Sequence, residues 1–132
     1  MIDCILDLLE EMHKETSYGL YDFSRDKCRR YLERFYNAGQ FVYHRPGVVM
    51  LGTIEATFFG NDKIANDLLL FVSKSERGSG EASRAIESFC EWAESNGAKS
   101  IVIGQTTGVS KESFSALAEK FDFKEFGTVY LR

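Results

Sequence analysis

Asp67-Leu68-Leu69-Leu70-Phe71-Val72-Ser73-Lys74-Ser75-Glu76-Arg77-Gly78-Ser79-Gly80-Glu81-Ala82 is the stretch on which the reading of this chain turns. The first six residues form a nearly unbroken apolar run, which suits a strand covered on both faces. From Gly80 onward Ala82, Ile86, Phe89, Cys90 and Ala93 recur at helical spacing until Gly97 closes the segment. A turn with two glycines joins strand to helix. The start of a helix leaves several backbone N–H groups without partners and carries a partial positive charge. Glycines ahead of it let those amides approach an anion with no Cβ in the way, and phosphate is the natural occupant. Arg77, with Lys74 and Arg84 close in sequence, supplies positive charge there. The same glycines also suit a plain strand–helix turn. Two familiar phosphate loops do not fit: Glu81-Ala82 stands where a Walker loop needs Lys-Ser/Thr, and Ser83 stands where the dinucleotide fingerprint needs a third Gly or Ala.

Working outward, Ile2, Ile5, Leu6, Leu9 and Met12 predict an amphipathic helix over 2–15. Ser24 is the expected N-cap of a second helix bearing Cys28, Tyr31, Leu32 and Phe35, ended by Ala38-Gly39. Phe41 to Tyr43 and Val48 to Phe59, separated by Arg45-Pro46-Gly47, read as a hairpin, and Phe58-Phe59 is expected in the core. Gly60-Asn61-Asp62 turns the chain into the central run. Beyond the long helix, Lys99 to Ile103 reads as a buried strand, Ser110 as the cap of a helix carrying Phe114, Leu117, Ala118 and Phe121, and Thr128 to Leu131 as a last strand. The order ααβββαβαβ predicts a mixed α/β layer fold with one strand–helix–strand crossover.

The 132 residues are expected to form a single domain, long enough to bury one real core. Sixteen basic against twenty acidic residues leave a net charge of −4, which argues against a general nucleic-acid binder. The apolar run Leu68 to Val72 is too short to span a bilayer, and the first residues lack the pattern of a signal peptide. Cys4, Cys28 and Cys90 show no metal-ligand spacing and fall on or near the apolar faces of expected helices, which fits reduced thiols in a cytoplasmic protein. His13 and His44 read as surface or half-buried side chains.

The segment from Asp67 to Arg132 resembles the GNAT superfamily of acyl-coenzyme A-dependent N-acetyltransferases. The family pattern Gln/Arg-x-x-Gly-x-Gly/Ala after a strand ending in Val is matched by Val72 and Arg77-Gly78-Ser79-Gly80-Glu81-Ala82. Phe123, Gly127 and Tyr130 resemble the family's ending, and Phe59-Gly60 and Thr107-Gly108 are similar to small members from bacterial and phage genomes. The resemblance implies a mixed, mostly antiparallel sheet flanked by helices, here without the usual first strand. That would leave an open edge for a partner chain, such as a second copy. It implies acetyl-CoA as co-substrate, a primary amine as acceptor and direct attack on the thioester. Backbone groups of Leu70, Phe71 and Val72 would bond the pantetheine, and amides from Gly78, Ser79, Gly80, Glu81 and Ala82, with Arg77, would take the pyrophosphate. An amide of the strand, Val72 being the nearest, would polarise the carbonyl. Gln105, Thr106 and Thr107 would either line the acceptor pocket or merely form a loop.

The resemblance also has gaps. Lys111 occupies the position of a family Asn, and we place it with the cofactor-binding residues; Ala118 occupies the position of the Tyr that protonates the leaving thiolate. A thiol pKa near ~8.5 lets the thiolate leave without that help, at a cost on the order of 10²-fold. Asp67 and Glu55 are the candidate general bases, and Tyr130 is a candidate acid. A domain that binds acyl-CoA without turnover is the alternative reading that Ala118 raises.

Overall fold

The computed structural model describes residues 1–104, 111–127, 130 and 132. Two helices come first, α1 (Ile2–Glu15) and α2 (Arg25–Asn37), joined through a single-turn 3₁₀ segment at Ser17–Leu20. The Ser24 hydroxyl accepts from the Lys27 amide at 3.2 Å and caps α2 as its sequence implies. Three antiparallel strands follow, β1 (Phe41–Arg45), β2 (Val48–Ala56) and β3 (Lys63–Val72). Helix α3 (Glu81–Ser95) crosses to β4 (Ala98–Val102), which lies parallel to β3, and α4 (Lys111–Lys120) comes next. The sheet order is β1-β2-β3-β4, so the mixed, mostly antiparallel sheet flanked by helices is as expected, with no strand before α1 among the described residues.

Alternation along the strands divides the interior in two. Val49, Leu51 and Phe71 face Ile5, Leu6, Leu8 and Met12 of α1 and Leu32 and Phe35 of α2. Val48, Met50 and Ala65 face Ala85, Ile86, Phe89 and Ala93 of α3, where Phe41 and Trp92 complete an aromatic cluster around Phe89. Gly52 belongs to this second face. A Cβ on it would stand 2.3 Å from Cε1 of Phe89, so only glycine lets the ring lie flat on β2.

The structure differs from the sequence reading in several places. Strand β2 ends at Ala56, and Phe58 and Phe59 sit in the following turn, 97% and 94% exposed, packed edge-to-face on each other instead of in the core. Strand β3 starts at Lys63, four residues before the apolar run, because β2 and β4 both supply partners for its polar first half. Cys4 is exposed on α1, away from its apolar face. Ser110 and three of the four residues of the expected last strand, Thr128, Val129 and Leu131, lie outside the described residues, as do Gln105 to Gly108.

Candidate active site

The central feature is a fork between β3 and β4. Their parallel ladder runs from Lys63↔Ala98 to Asn66↔Val102 and stops, while β3 continues to Val72 against β2 alone. Along Asp67 to Val72, therefore, one edge of β3 has no strand partner among the described residues. The ladder with β2 is itself interrupted at the same level: Leu51 pairs with Leu69 and Gly52 with Asp67, which makes Leu68 an extra residue, a bulge in β3. Leu70, Phe71 and Val72 form the upper arm of the fork. Phe71 is buried, and the Val72 carbonyl already accepts from Nε of Arg77 at 3.0 Å.

Asp67 stands at the apex. Its Oδ1 accepts from the Gly104 amide at 3.1 Å, tying the end of β4 to β3 just where the ladder stops. Burial pushes its carboxyl up to about 6, against the lowering effect of the bonds it accepts from the backbone amides of Gly104 and Asp67 itself. Glu55 pairs with Ile64, three residues along β2 from Gly52, which puts it about 10 Å away and on the opposite face. It is exposed there. The two sequence candidates for the base are thus separated. Tyr130 is 89% exposed and makes no hydrogen bond to the fork among the described residues.

The glycine turn leads from the open arm of the fork into α3. A short 3₁₀ turn, Lys74–Glu76, precedes it, and Gly78 and Gly80 adopt φ of +86° and +85°, a region that a side chain disfavours. The first α3 bond recorded at the cap is Arg84 N–H to the Gly80 carbonyl, and no side chain caps the helix. Amides of Gly78, Gly80, Glu81, Ala82 and Ser83 therefore have no backbone acceptor among the described residues. The Ser79 amide is used, bonding the Glu76 carbonyl at 3.2 Å.

Three contacts around this turn join residues far apart in sequence. Lys120, from the last turn of α4, brings Nζ to 3.2 Å from Oγ of Ser83 and adds a cation to the first turn of α3. The Tyr43 hydroxyl donates to Oε2 of Glu81 at 3.2 Å, and burial, then that carboxylate, push its pKa up from the ordinary tyrosine value, making it a weaker acid. Arg77 pairs with Glu15 and lies 5.9 Å above the Phe71 ring, so it braces α1 against β3 as well as the turn. Arg84 pairs with Glu81 at 2.8 Å and reaches the Ser79 carbonyl at 3.3 Å. Lys111 opens α4, and its side chain is not among those described. Lys120 is the cation that sequence reading missed; its only local signal was a basic residue closing a helix.

Residues 5–123 match the acetyltransferase (GNAT) family, and the chain belongs to that family. No curated protein sequence matches it. Among solved structures, an acetyltransferase from Trypanosoma brucei is 18% identical with a TM-score of 0.74, covering 99% of this chain and 91% of its own. Glucosamine-6-phosphate N-acetyltransferase from Arabidopsis thaliana is 14% identical with a TM-score of 0.73, covering 100% and 92%. A putative acetyltransferase from Agrobacterium tumefaciens is 13% identical with a TM-score of 0.75, covering 99% and 92%. At such identities the likeness is one of fold. No helix among the described residues is long and apolar enough to cross a membrane.

Proposed function

We propose that this single-domain chain transfers an acetyl group from acetyl-CoA to a primary amine, by direct attack of the amine on the thioester. The observation that carries the reading is the fork in the sheet opening onto a helix start whose amides lack acceptors. Pyrophosphate binds at Gly78, Gly80, Glu81, Ala82 and Ser83, with Lys120 and Arg84 as cations beside the first turn of α3 and Lys111 at the start of α4. The pantetheine arm lies along Leu70 and Phe71, bonding the unpaired edge of β3. An arm that starts at the turn reaches the apex with its far end, about four residues or roughly 13 Å below Val72. The thioester therefore lies beside the bulge, and the amides of Leu68 and Leu69, not that of Val72, polarise its carbonyl. Arg77 acts as a brace more than as a phosphate ligand, since Glu15 and the Val72 carbonyl already hold it.

Asp67 is the carboxylate closest to that point, and a pKa of about 6 leaves it ionised at neutral pH yet basic enough to take a proton from the amine through water. Glu55 is exposed on the other face and serves the acceptor side if it serves at all. The thiolate leaves without a tyrosine at position 118, and Tyr130 of the C-terminal segment is the remaining candidate acid. The three free cysteines fit a reducing, cytoplasmic setting.

Calorimetric titration with acetyl-CoA tests the cofactor. Binding is expected for the wild type, and a loss of at least tenfold for Gly80→Glu, which adds both a side chain at positive φ and a negative charge at the cradle. Absence of binding at millimolar ligand would overturn the assignment. Thiol release against a panel of amines then separates an enzyme from a domain that only binds. Ala118→Tyr is expected to raise the rate if protonation of the leaving group is slow.

A further inference from the structure

Strand β1 is an edge of the sheet, with Nη1 of Arg45 donating to the His44 carbonyl at 2.7 Å near its end. Its five residues pair with β2 without a bulge, from Phe41↔Gly52 to Arg45↔Val48, and contain neither lysine nor proline. Its outer row of N–H and C=O groups has no partner strand among the described residues. Beside it, between β1 and α3, runs an open groove of about 360 Å³. The charges along this groove are segregated. At one end Arg45 lies over the Tyr43 ring, 4.9 Å from its centroid, near the first turn of α3. Arg84 there is paired with Glu81 at 2.8 Å, so that Arg45 leaves this end net cationic. Toward the other end lie Glu87 and Glu91, which make no ion pair among the described residues. Phe41 marks that end, packed on Phe89 and Trp92.

We propose that a second copy of this chain docks on β1, strand antiparallel to strand, about a two-fold axis through Tyr43. In that register Phe41 faces Arg45 of the other copy, and Val42 faces its His44. All five opposed pairs match in face, because residues directly opposite in an antiparallel pair lie on the same side of the sheet. The two-fold also runs the two α3 helices in opposite directions, so the cationic end of each groove meets the acidic end of the other. Room is available. Helix α3 lies across all four strands. Two copies then stand about four strand spacings, roughly 19 Å, apart, a gap that long side chains such as Arg45, Arg84 and Glu91 fill. Pairing of two short strands buries less than the ~1,200–2,000 Å² of a stable interface, so association in the micromolar range is expected.

The charge pattern supplies the test. Within one chain Tyr43, beneath Arg45, bonds Glu81, which is ten residues and about 15 Å along α3 from Glu91. Arg45 and Glu91 therefore meet only between copies. Sedimentation velocity of the 132-residue chain over a range of concentrations is expected to show a monomer–dimer equilibrium. Arg45→Glu and Glu91→Arg are each expected to weaken it by on the order of tenfold or more through like-charge contacts. The double variant, with the charges exchanged, is expected to recover it. All three should retain the wild-type circular dichroism spectrum and acetyl-CoA affinity, since neither residue lies at the fork or the turn. A chain monomeric at every concentration overturns the proposal and leaves the edge to a strand of another protein. A dimer indifferent to both single substitutions, or not recovered by the exchange, overturns it too.

Discussion

The two faces of the sheet are covered by different means. On one face α1 and α2 share the work, and at their rim Arg25 meets Asp7 at 3.0 Å and Glu10 at 3.6 Å, while Arg29 meets Asp3. On the other, α3 meets β2 across Gly52, with the Phe89 ring where a Cβ would otherwise be, and Leu117 of α4 and Phe121 pack against the same cluster. The first face is broad contact plus exposed charge, and such pairs contribute little. The second is a close steric fit, and its helix also begins at the glycine turn. Packing on the α3 face therefore fixes where the glycine turn sits, whereas the α1–α2 face reaches it, among the described residues, through Glu11 to Ser73, at 2.9 Å, and Glu15 to Arg77. The position of the glycine turn is thus set on one side of the sheet, which under the proposed function leaves the other side free to serve an acceptor.

Truncation at the α3 face should be the most damaging change. Phe89→Ala is expected to cost about 3–5 kcal/mol in denaturant unfolding, because a fully buried ring leaves a cavity among Phe41, Trp92 and Gly52. A matching loss from a rim substitution would break the comparison.

Asp67 comes next, through pH. Its folded pKa of about 6 lies above the ordinary 3.8, so between these values the folded state holds the extra proton and stability falls as pH rises. The fall amounts to up to about 3 kcal/mol, complete once pH exceeds 6. Asp67→Asn is expected to abolish that slope, matching the wild type near pH 4 and exceeding it at neutral pH in urea melts. The same substitution should lower turnover on the order of 10²-fold and remove an acid limb near pH 6, with acetyl-CoA affinity unchanged. An unchanged pH–rate profile would remove Asp67 from the chemistry.

Adding one carbon at Gly52 is expected to cost about 1–3 kcal/mol, read as a lowered midpoint in thermal unfolding, since Phe89 must shift to admit it. The double variant Gly52→Ala with Phe89→Leu should cost less than the sum of the two single changes. Smallest of all, Arg25→Ala removes the main cation between α1 and α2 and is expected to cost less than about 1 kcal/mol, vanishing at high salt. A larger cost would mean that the rim contributes more than exposed charge.

Much of this architecture was legible from local pattern. Apolar spacing placed α1 and α3 within a residue of their ends, because a helix buries a stripe whose period the chain itself displays. The run from Leu68 to Val72 marked the central strand but overstated its cover: Phe71 is buried while Leu68 is exposed. Strand β4, also read as a buried strand, exposes Lys99, Ser100 and Val102, because each of the two has an edge or face left open beyond the fork. The first half of β3 escaped notice: Lys63-Ile64-Ala65-Asn66 is mixed in character and becomes a strand only because β2 and β4 flank it. Phe58 and Phe59 misled for the converse reason. Aromatic character suggested a strand, but the turn closed by Thr57 and Asp62, whose N–H···O bond is 2.8 Å, had already taken those residues out of the sheet.

The sequence by itself determined that Arg77 to Ala82 would be a glycine turn feeding a helix, since chain-local conformational preferences decide a turn and a helix start. Tertiary structure alone decided what surrounds it. Asp67 meets Gly104, Lys120 meets Ser83, and Tyr43 meets Glu81 across gaps of 37 or 38 residues. The bulge at Leu68 likewise exists only against β2. Such contacts arise when packing brings distant elements together, and no local periodicity in a chain records which of its distant residues will meet.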